Sequence, residues 1–186
     1  MRIYLNDSKN YPVKDNVLLD TNVLYWLTYA NSRVFPKALK AKDYQLKDYP
    51  LLFEKLIENE NNLFFSNYSI SELANIISKV ELSLSGRSGV YEKKKWLRHE
   101  GGRKIVLDEL SMVIQALESW AKPLTSYPPL STTDYLNKYN EVFLDGYDIH
   151  IGNEIFENKI SYILTDDIDF NSIKNLNVIT ANKSKI

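Results

Sequence analysis

The clearest pattern in the chain is a series of short apolar runs, each followed by an amphipathic segment. Residues 17–19 form one such run, which stops at Asp20, and the apolar positions after it recur at helical spacing up to Ala30. Uninterrupted apolar runs of this length are typical of strands that are buried on both faces of a parallel sheet. The same reasoning predicts further short strands at residues 3–5, 63–66, 161–165 and 177–180.

Helical periodicity fills most of the chain between these strands. Pro36 and Pro50 lie near the starts of two of the predicted helices, where proline is tolerated. The predicted helices cover residues 22–30, 35–44, 51–60, 69–82, 91–98, 104–121, 133–143 and 147–158. Because strands alternate with helices and no hairpin signal separates them, we predict a three-layer α/β/α domain with a central, mainly parallel sheet.

The composition narrows the class of protein. A chain of 186 residues accommodates one domain with a substantial core. The absence of cysteine excludes disulfides and thiolate metal ligands, and it suits a reducing compartment. The first ten residues lack the features of a secretory signal, and no apolar stretch has the length of a membrane span. We therefore expect a cytoplasmic protein that has no membrane partner.

The net charge of −1 conceals an uneven distribution. Residues 87–104 contain seven basic and two acidic side chains, whereas residues 141–170 contain eight acidic and one basic. A chain that is divided in this way can bind a polyanion with one face and cations with another. A solvated, non-binding surface is the simpler explanation of either charged run when it is considered alone.

Residues 83–130 are the least sheet-like part of the predicted single domain, which spans residues 1–186. We predict a helical, basic insertion there, with residues 83–102 as its mobile part. Basic side chains contact phosphates, and Trp96 or Tyr91 could stack on an unpaired base. The alternative is a solvated helix whose Trp96 and Leu97 pack inward. The candidate RNA-binding residues are Lys93, Lys94, Lys95, Trp96 and Arg98.

Acidic residues follow the predicted strands or begin the predicted helices at four places. Asp20 follows the first long strand, Glu72 lies one turn into the next helix, and Asp148 lies in the first turn of a later helix. Asp167 and Asp169 follow the third strand. The carboxyl ends of parallel strands share one edge of the sheet, so these acids should converge. Converging carboxylates repel unless a cation neutralises them, and ligation by oxygen alone suits Mg²⁺ or Mn²⁺.

Each acid also has a purely structural explanation. Asp20 could cap the first helix, and Ser69 with Glu72 matches a capping box. Asp148 could be a first-turn acid that is favoured by the helix dipole, and residues 166–169 could be a solvated turn. The combination of the four positions, rather than any one of them, indicates a site.

Four segments together resemble the PIN-domain nuclease family. They are residues 18–24 (LLDTNVL), 69–73 (SISEL), 148–152 (DIHIG) and 163–170 (ILTDDIDF). Their order, their strand and helix contexts and the length of the chain agree with this family, whereas residues 80–133 contribute little to the resemblance. The first and the last of these segments are the most distinctive.

The resemblance implies a metal-dependent endoribonuclease of the kind that is common as the toxin of bacterial toxin–antitoxin pairs. Such enzymes use one or two Mg²⁺ or Mn²⁺ ions and leave a 5′-phosphate and a 3′-hydroxyl. RNA would be the substrate and an antitoxin protein would be a partner. Carried over residue by residue, the acidic quartet is Asp20, Glu72, Asp148 and Asp167. Asp169 is a fifth, outer acid, and Asn22 and Thr165 are neutral polar members.

Other classes remain open from the sequence. A haloacid-dehalogenase-like phosphatase would need a second Asp where this chain has Asn22, and a receiver domain would need paired early acids and a late lysine. A PIN-like module that binds RNA or protein without turnover is the stronger alternative. The 13 tyrosines and 3 tryptophans also allow a homodimer, because aromatic residues are enriched at interfaces.

Overall fold

A single parallel sheet forms the centre of the protein. The structure is a computed structural model, and it describes residues 1–31, 35, 41–99 and 101–184 apart from the side chain of Ser8. In these ranges six strands pair in the order β1-β6-β5-β2-β3-β4, and every pair is parallel. The strands are β1 (Arg2–Ile3), β2 (Asn16–Leu19), β3 (Asn62–Phe65), β4 (Lys122–Pro123), β5 (Tyr162–Leu164) and β6 (Asn177–Ile179).

Helices cover both faces of this sheet. Val17 and Leu19 of β2 enter one hydrophobic core, whereas Leu18 enters a second core on the opposite face. Successive residues of a strand point to opposite faces, so both faces are buried. This confirms the predicted three-layer α/β/α arrangement. The helices are α1 (Thr21–Tyr25), α2 (Asp43–Glu58), α3 (Asn67–Leu84), α4 (Val90–His99), α5 (Gly102–Glu118), α6 (Thr132–Glu141) and α7 (Gly146–Glu157).

The position of β2 in the middle of the sheet determines where the candidate site lies. In register, Leu18 pairs with Phe64 of β3 on one side and with Ile163 of β5 on the other. Since the three strands run in the same direction, they end at the same edge. The residues that follow them, Asp20, Ser66 and Thr165, therefore lie along this carboxyl edge.

The prediction that a helix begins near Pro50 is wrong. Helix α2 begins at Asp43 and contains Pro50 within it. Its buried stripe is Tyr49, Leu52 and Leu56, and the polar turns before that stripe hid the true start of the helix. Most of the helix predicted at residues 35–44 lies outside the described residues. The helix predicted at residues 22–30 is formed by α1 and the π-helical stretch Trp26–Ala30 that follows it, and the remaining predicted strands and helices occur within a few residues of their expected bounds.

Residues 83–130 are built into the domain rather than projecting from it. Helices α4 and α5 form the helical part that the sequence predicted, and Val106, Val113 and Leu117 of α5 enter the first core. Strand β4, which the sequence analysis did not predict, pairs with β3 at the edge of the sheet. Among the helices in the described ranges, none has the length and apolarity needed to cross a membrane.

Candidate active site

Asp20 is the buried centre of the carboxyl edge. It lies between β2 and α1, and it is only 3% exposed. Its Oδ1 accepts a hydrogen bond of 2.7 Å from the backbone N–H of Thr21, so Asp20 does cap α1. Its Oδ2 accepts a second bond of 2.7 Å from the Thr165 hydroxyl. The second bond joins the end of β2 to the end of β5, which a helix cap does not require.

Thr165 positions two of the predicted acids. Its buried hydroxyl donates to Asp20 and accepts a hydrogen bond of 2.9 Å from the backbone N–H of Asp167. The Oδ1 of Asp167 then accepts a bond of 2.8 Å from the backbone N–H of Asp169. This bond caps the 3-10 turn Ile168–Ser172. These bonds fix the path of the chain after β5, so the position of the Asp167 side chain depends on Thr165.

Glu72 and Asp148 reach the same edge from helices. The capping box proposed for Glu72 is wrong, because α3 begins after Ser66, whose Oγ accepts a bond from the Tyr68 backbone N–H. Glu72 therefore lies further into the helix than a capping residue would. Within the described residues, the Oε2 of Glu72 is buried without a hydrogen-bond partner. A buried oxygen without a partner is costly unless a ligand occupies it.

Electrostatics shows that the four acids lie close enough to affect one another. The pKa of Asp20 is raised to about 7, chiefly by burial and also by the charges of Glu72 and Asp167, against the lowering effect of the Thr165 hydrogen bond. The pKa of Asp148 is raised to about 8, chiefly by burial and also by the charges of Asp20, Glu72 and Asp167. Four separate segments of the chain therefore bring their carboxylates into one electrostatic group.

The outer predicted members occupy different positions. Burial, followed by the charges of Asp167 and Asp145, raises the pKa of Asp169, which places Asp169 on the side of the group near the start of α7. Asn22 is exposed on α1, and within the described ranges its side chain makes no hydrogen bond to any of the acids. Asn22 therefore has no direct bond to the acids in the described ranges, whereas Thr165 bonds both Asp20 and Asp167.

The chemistry of this group fits a hard divalent cation, although its side chains are not assembled around one point. All the donors are carboxylate oxygens, one of them lacks a partner, and the pKa values of two of the acids are raised, so a nearby positive charge would favour their ionised forms. In the positions that the described side chains occupy, no three acidic or imidazole groups surround a common point closely enough to hold an ion. Binding would therefore require some of these side chains to move closer together.

Two further acids near the site make hydrogen bonds that the sequence analysis did not predict. The carboxylate of Asp166 accepts hydrogen bonds from Tyr44, Tyr49 and Gln45, so it ties α2 to the end of β5. Glu154 of α7 is 3% exposed and accepts a bond of 2.6 Å from the Ser66 hydroxyl. Both residues lie in a strongly acidic stretch of the sequence, where nothing distinguishes a buried acid from a solvated one.

The structure excludes part of the RNA-binding role that the sequence predicts for the basic helix α4. Trp96 is 3% exposed and packs on Gly102, so the prediction that it stacks on RNA is wrong. The alternative of an inward-facing tryptophan is confirmed. The Nζ of Lys93 donates to Asn75 of α3, and Lys95 also has an interaction partner. Tyr91, Lys94 and Arg98 are exposed and remain available to a nucleic acid.

Comparison with known proteins finds no match by sequence and a weak match by structure. No protein-family model matches it, and no curated protein sequence matches it. Among solved structures, the chain is similar to the crystal structure of VapBC2 from Rickettsia felis bound to a DNA fragment from their promoter. The sequence identity is 15%, the TM-score is 0.45, and the match covers 90% of this chain and 99% of that chain. An identity and a TM-score this low assign neither an activity nor a site.

Proposed function

We propose that the protein is a metal-dependent endoribonuclease of the PIN type, and that it acts as the toxin of a toxin–antitoxin pair. The observation that carries the nuclease proposal is the convergence of Asp20, Glu72, Asp148 and Asp167 at one edge of the sheet. Four segments that are distant in the sequence supply them, and the charges of Glu72 and Asp167 contribute to the raised pKa values of Asp20 and Asp148. The toxin role is supported by the motif resemblance alone.

The residues of the site would have different roles in binding a cation. Asp20 and Asp167, which Thr165 holds by hydrogen bonds, would form the fixed part of a cation site. Glu72 and Asp148 would complete it from the helices, and the unpartnered Glu72 oxygen would gain a ligand. When bound, Mg²⁺ or Mn²⁺ supplies Lewis acidity towards a phosphodiester and a route to an activated water. The acids alone would repel the phosphate, so RNA binding should depend on the ion.

The basic surface of α4 supports RNA as the polyanion. Lys94 and Arg98 lie exposed on α4, and side chains of this kind neutralise phosphates without reading base sequence. Tyr91 is 78% exposed on the same helix and could stack on an unpaired base. The proposed substrate is therefore RNA that contains single-stranded segments.

A cleavage assay tests the proposed activity. Purified protein is incubated with a labelled structured RNA and with single-stranded DNA, in Mn²⁺, Mg²⁺ or EDTA, beside the Asp20→Asn variant. We expect RNA cleavage that EDTA abolishes and that Asp20→Asn lowers at least about 100-fold, leaving a 5′-phosphate. Equal cleavage in EDTA, or full activity of Asp20→Asn, would contradict the proposal.

One observation favours a second candidate, a PIN-like module that binds RNA or protein without cleaving. In the described part of the chain, the acids are not arranged around a common point. A non-catalytic module would bind RNA equally well in EDTA and in Mn²⁺, and Asp20→Asn would leave that affinity unchanged. Metal-dependent cleavage would exclude this candidate.

A further inference from the structure

Glu154 is a buried acid that the proposed reaction does not use. It lies on α7 at 3% exposure, and its Oε2 accepts a hydrogen bond of 2.6 Å from the Ser66 hydroxyl. Ser66 is fully buried at the carboxyl end of β3, and its Oγ also accepts the Tyr68 backbone N–H that begins α3. Burying a carboxyl group is unfavourable, so a position that retains one needs a compensating interaction or a role.

The location of this bond suggests the role. Glu154 lies about two helical turns after Asp148 on α7, and Ser66 lies about two turns before Glu72 on α3. The Ser66–Glu154 bond therefore joins the two helices that carry the helix-borne acids. This bond does not involve Glu72, whose Oε2 has no hydrogen-bond partner among the described residues.

The bond belongs to a series that connects all four acid-bearing segments. The Thr165 hydroxyl donates to Asp20 at 2.7 Å and joins β5 to β2. The Thr21 hydroxyl donates to the Ser69 hydroxyl at 3.0 Å and joins α1 to α3. Ser66 and Glu154 complete the series by joining α3 to α7. All of these side chains are buried, where a hydrogen bond is stronger than in water and fixes geometry more firmly.

We propose that Glu154 is a positioning residue, which sets the separation of Glu72 and Asp148 through its hydrogen bond to Ser66. The inference rests on the proposed function, because it concerns how that site is arranged to receive a divalent ion. Glu154 is not a ligand in this account. Its effect passes through α3 and α7, so the hydrogen bond matters and the negative charge does not.

Substitutions at residue 154 separate the bond from the charge. Glu154→Gln keeps an oxygen that can accept the hydrogen bond from the Ser66 hydroxyl, whereas Glu154→Leu has a similar volume and keeps no acceptor. Ile155→Ala is the matched control, because Ile155 is the next residue of α7, is buried in the second core and has no side-chain hydrogen bond to lose. Ser66→Ala removes the donor instead of the acceptor.

The experiment measures Mn²⁺ affinity by isothermal titration calorimetry and amide hydrogen exchange in the first turn of α3, at a temperature where every variant is folded. We expect Glu154→Leu to weaken Mn²⁺ binding at least about 10-fold and to speed this exchange. Glu154→Gln should stay within about 2-fold of the unmodified protein in both measurements. Ile155→Ala should lower the melting temperature without weakening Mn²⁺ binding.

The two readouts distinguish failure of this inference from failure of the proposed function. If the unmodified protein binds no Mn²⁺, the proposed nuclease is contradicted. If exchange in α3 is unchanged in Glu154→Leu, the positioning role is overturned whatever the metal result. Equal Mn²⁺ losses in Glu154→Leu and Ile155→Ala would also overturn it, because the effect would then follow stability alone. If Glu154→Leu does not fold, Ser66→Ala takes its place with the same expectations.

Discussion

The two halves of the candidate site differ in how firmly their acids are held. Asp20 and Asp167 follow strands, and the Thr165 hydroxyl and backbone N–H groups hold them. Glu72 and Asp148 lie on helices, and the described residues donate no hydrogen bond to Glu72 Oε2 or to the Asp148 carboxylate. The sheet-borne pair is therefore organised before any ligand arrives, whereas the helix-borne pair retains unused capacity for one.

This difference has a physical origin. A residue that directly follows a central strand is surrounded by the backbone of its neighbours, which supplies donors at fixed positions. Glu72 lies inside α3, where the backbone N–H groups are already bonded to carbonyl groups one turn earlier, so its side chain needs partners from outside its own helix. A site that combines both kinds of acid has a rigid half and an adaptable half.

The largest predicted effect tests whether the two halves belong to one site. Asp167→Asn, in the rigid half, and Glu72→Gln, in the adaptable half, should each lower metal-dependent RNA cleavage at least about 100-fold. Asp166→Asn is the matched control, because Asp166 is adjacent in sequence but bonds Tyr44 and Tyr49. The Asp166→Asn variant should have a lower melting temperature and retain most of the cleavage rate. Full activity of Glu72→Gln would remove the adaptable half from the site.

The next prediction concerns what makes the sheet-borne pair rigid. Thr165→Val removes one hydroxyl that serves both Asp20 and Asp167, leaving buried polar groups without a partner. We expect the free energy of unfolding to fall by about 1–3 kcal/mol and cleavage to fall about 10-fold. Denaturant titration and the cleavage assay measure the two effects. Thr165→Ser, which keeps the hydroxyl, should lose much less of both, and equal losses in the two variants would contradict this account.

The metal-free protein should lose stability as the pH rises. The pKa values of Asp20 and Asp148 are raised in the folded protein to about 7 and about 8. Between about pH 4 and those values the folded protein therefore binds more protons than the unfolded chain, so stability falls as the pH rises through this window. We expect the melting temperature in EDTA to fall by about 4 °C or more from pH 5 to pH 8.

Asp148→Asn tests the origin of that dependence. The variant cannot ionise at residue 148, so its melting temperature should change less between pH 5 and pH 8. At pH 8 in EDTA it should be more stable than the unmodified protein. Saturating Mn²⁺ should reverse this order, because the ion stabilises only a site that holds it. A variant with the same pH dependence as the unmodified protein would show that Asp148 does not have the raised pKa.

The smallest predicted effect concerns the basic helix. Reversing the charges of Lys94 and Arg98 to Glu should weaken RNA affinity a few-fold at low salt and reduce its salt dependence, because fewer phosphates are neutralised. Lys159→Glu is the control, since Lys159 is exposed after α7. Fluorescence anisotropy at several salt concentrations measures the RNA affinity of both variants. Equal losses from the two changes would indicate a general charge effect.

Much of the sheet could be predicted from the sequence, because its central strands carry uninterrupted apolar runs. Strand β2 and strand β5 were found by this pattern, and parallel pairing then placed Asp20 and Asp167 at one edge. Strand β4 could not be found, because it is two residues long and ends in proline. It depends on pairing with β3, which is a contact distant in the sequence.

The supporting residues of the site were harder to predict than its acids. Trp96 lies in a basic stretch that suggests a surface, and only the packing of α4 against Gly102 shows that it is buried. Glu154 differs in no local feature from its solvated neighbours, and its role depends on Ser66, which lies in a distant part of the chain. Local pattern identifies which residues end strands, but it does not identify the partners that hold them.

Mn²⁺ binding to the intact protein tests the central claim most directly. Titration calorimetry compares the unmodified protein with Asp20→Asn, Asp148→Asn and the exposed control Glu141→Gln. The convergence of the acids predicts binding by the unmodified protein and by Glu141→Gln with similar affinity, and a loss of at least about 100-fold in each of the other two variants. Equal affinities in all four proteins, or no binding by the unmodified protein, would contradict the claim that these acids form one divalent-cation site.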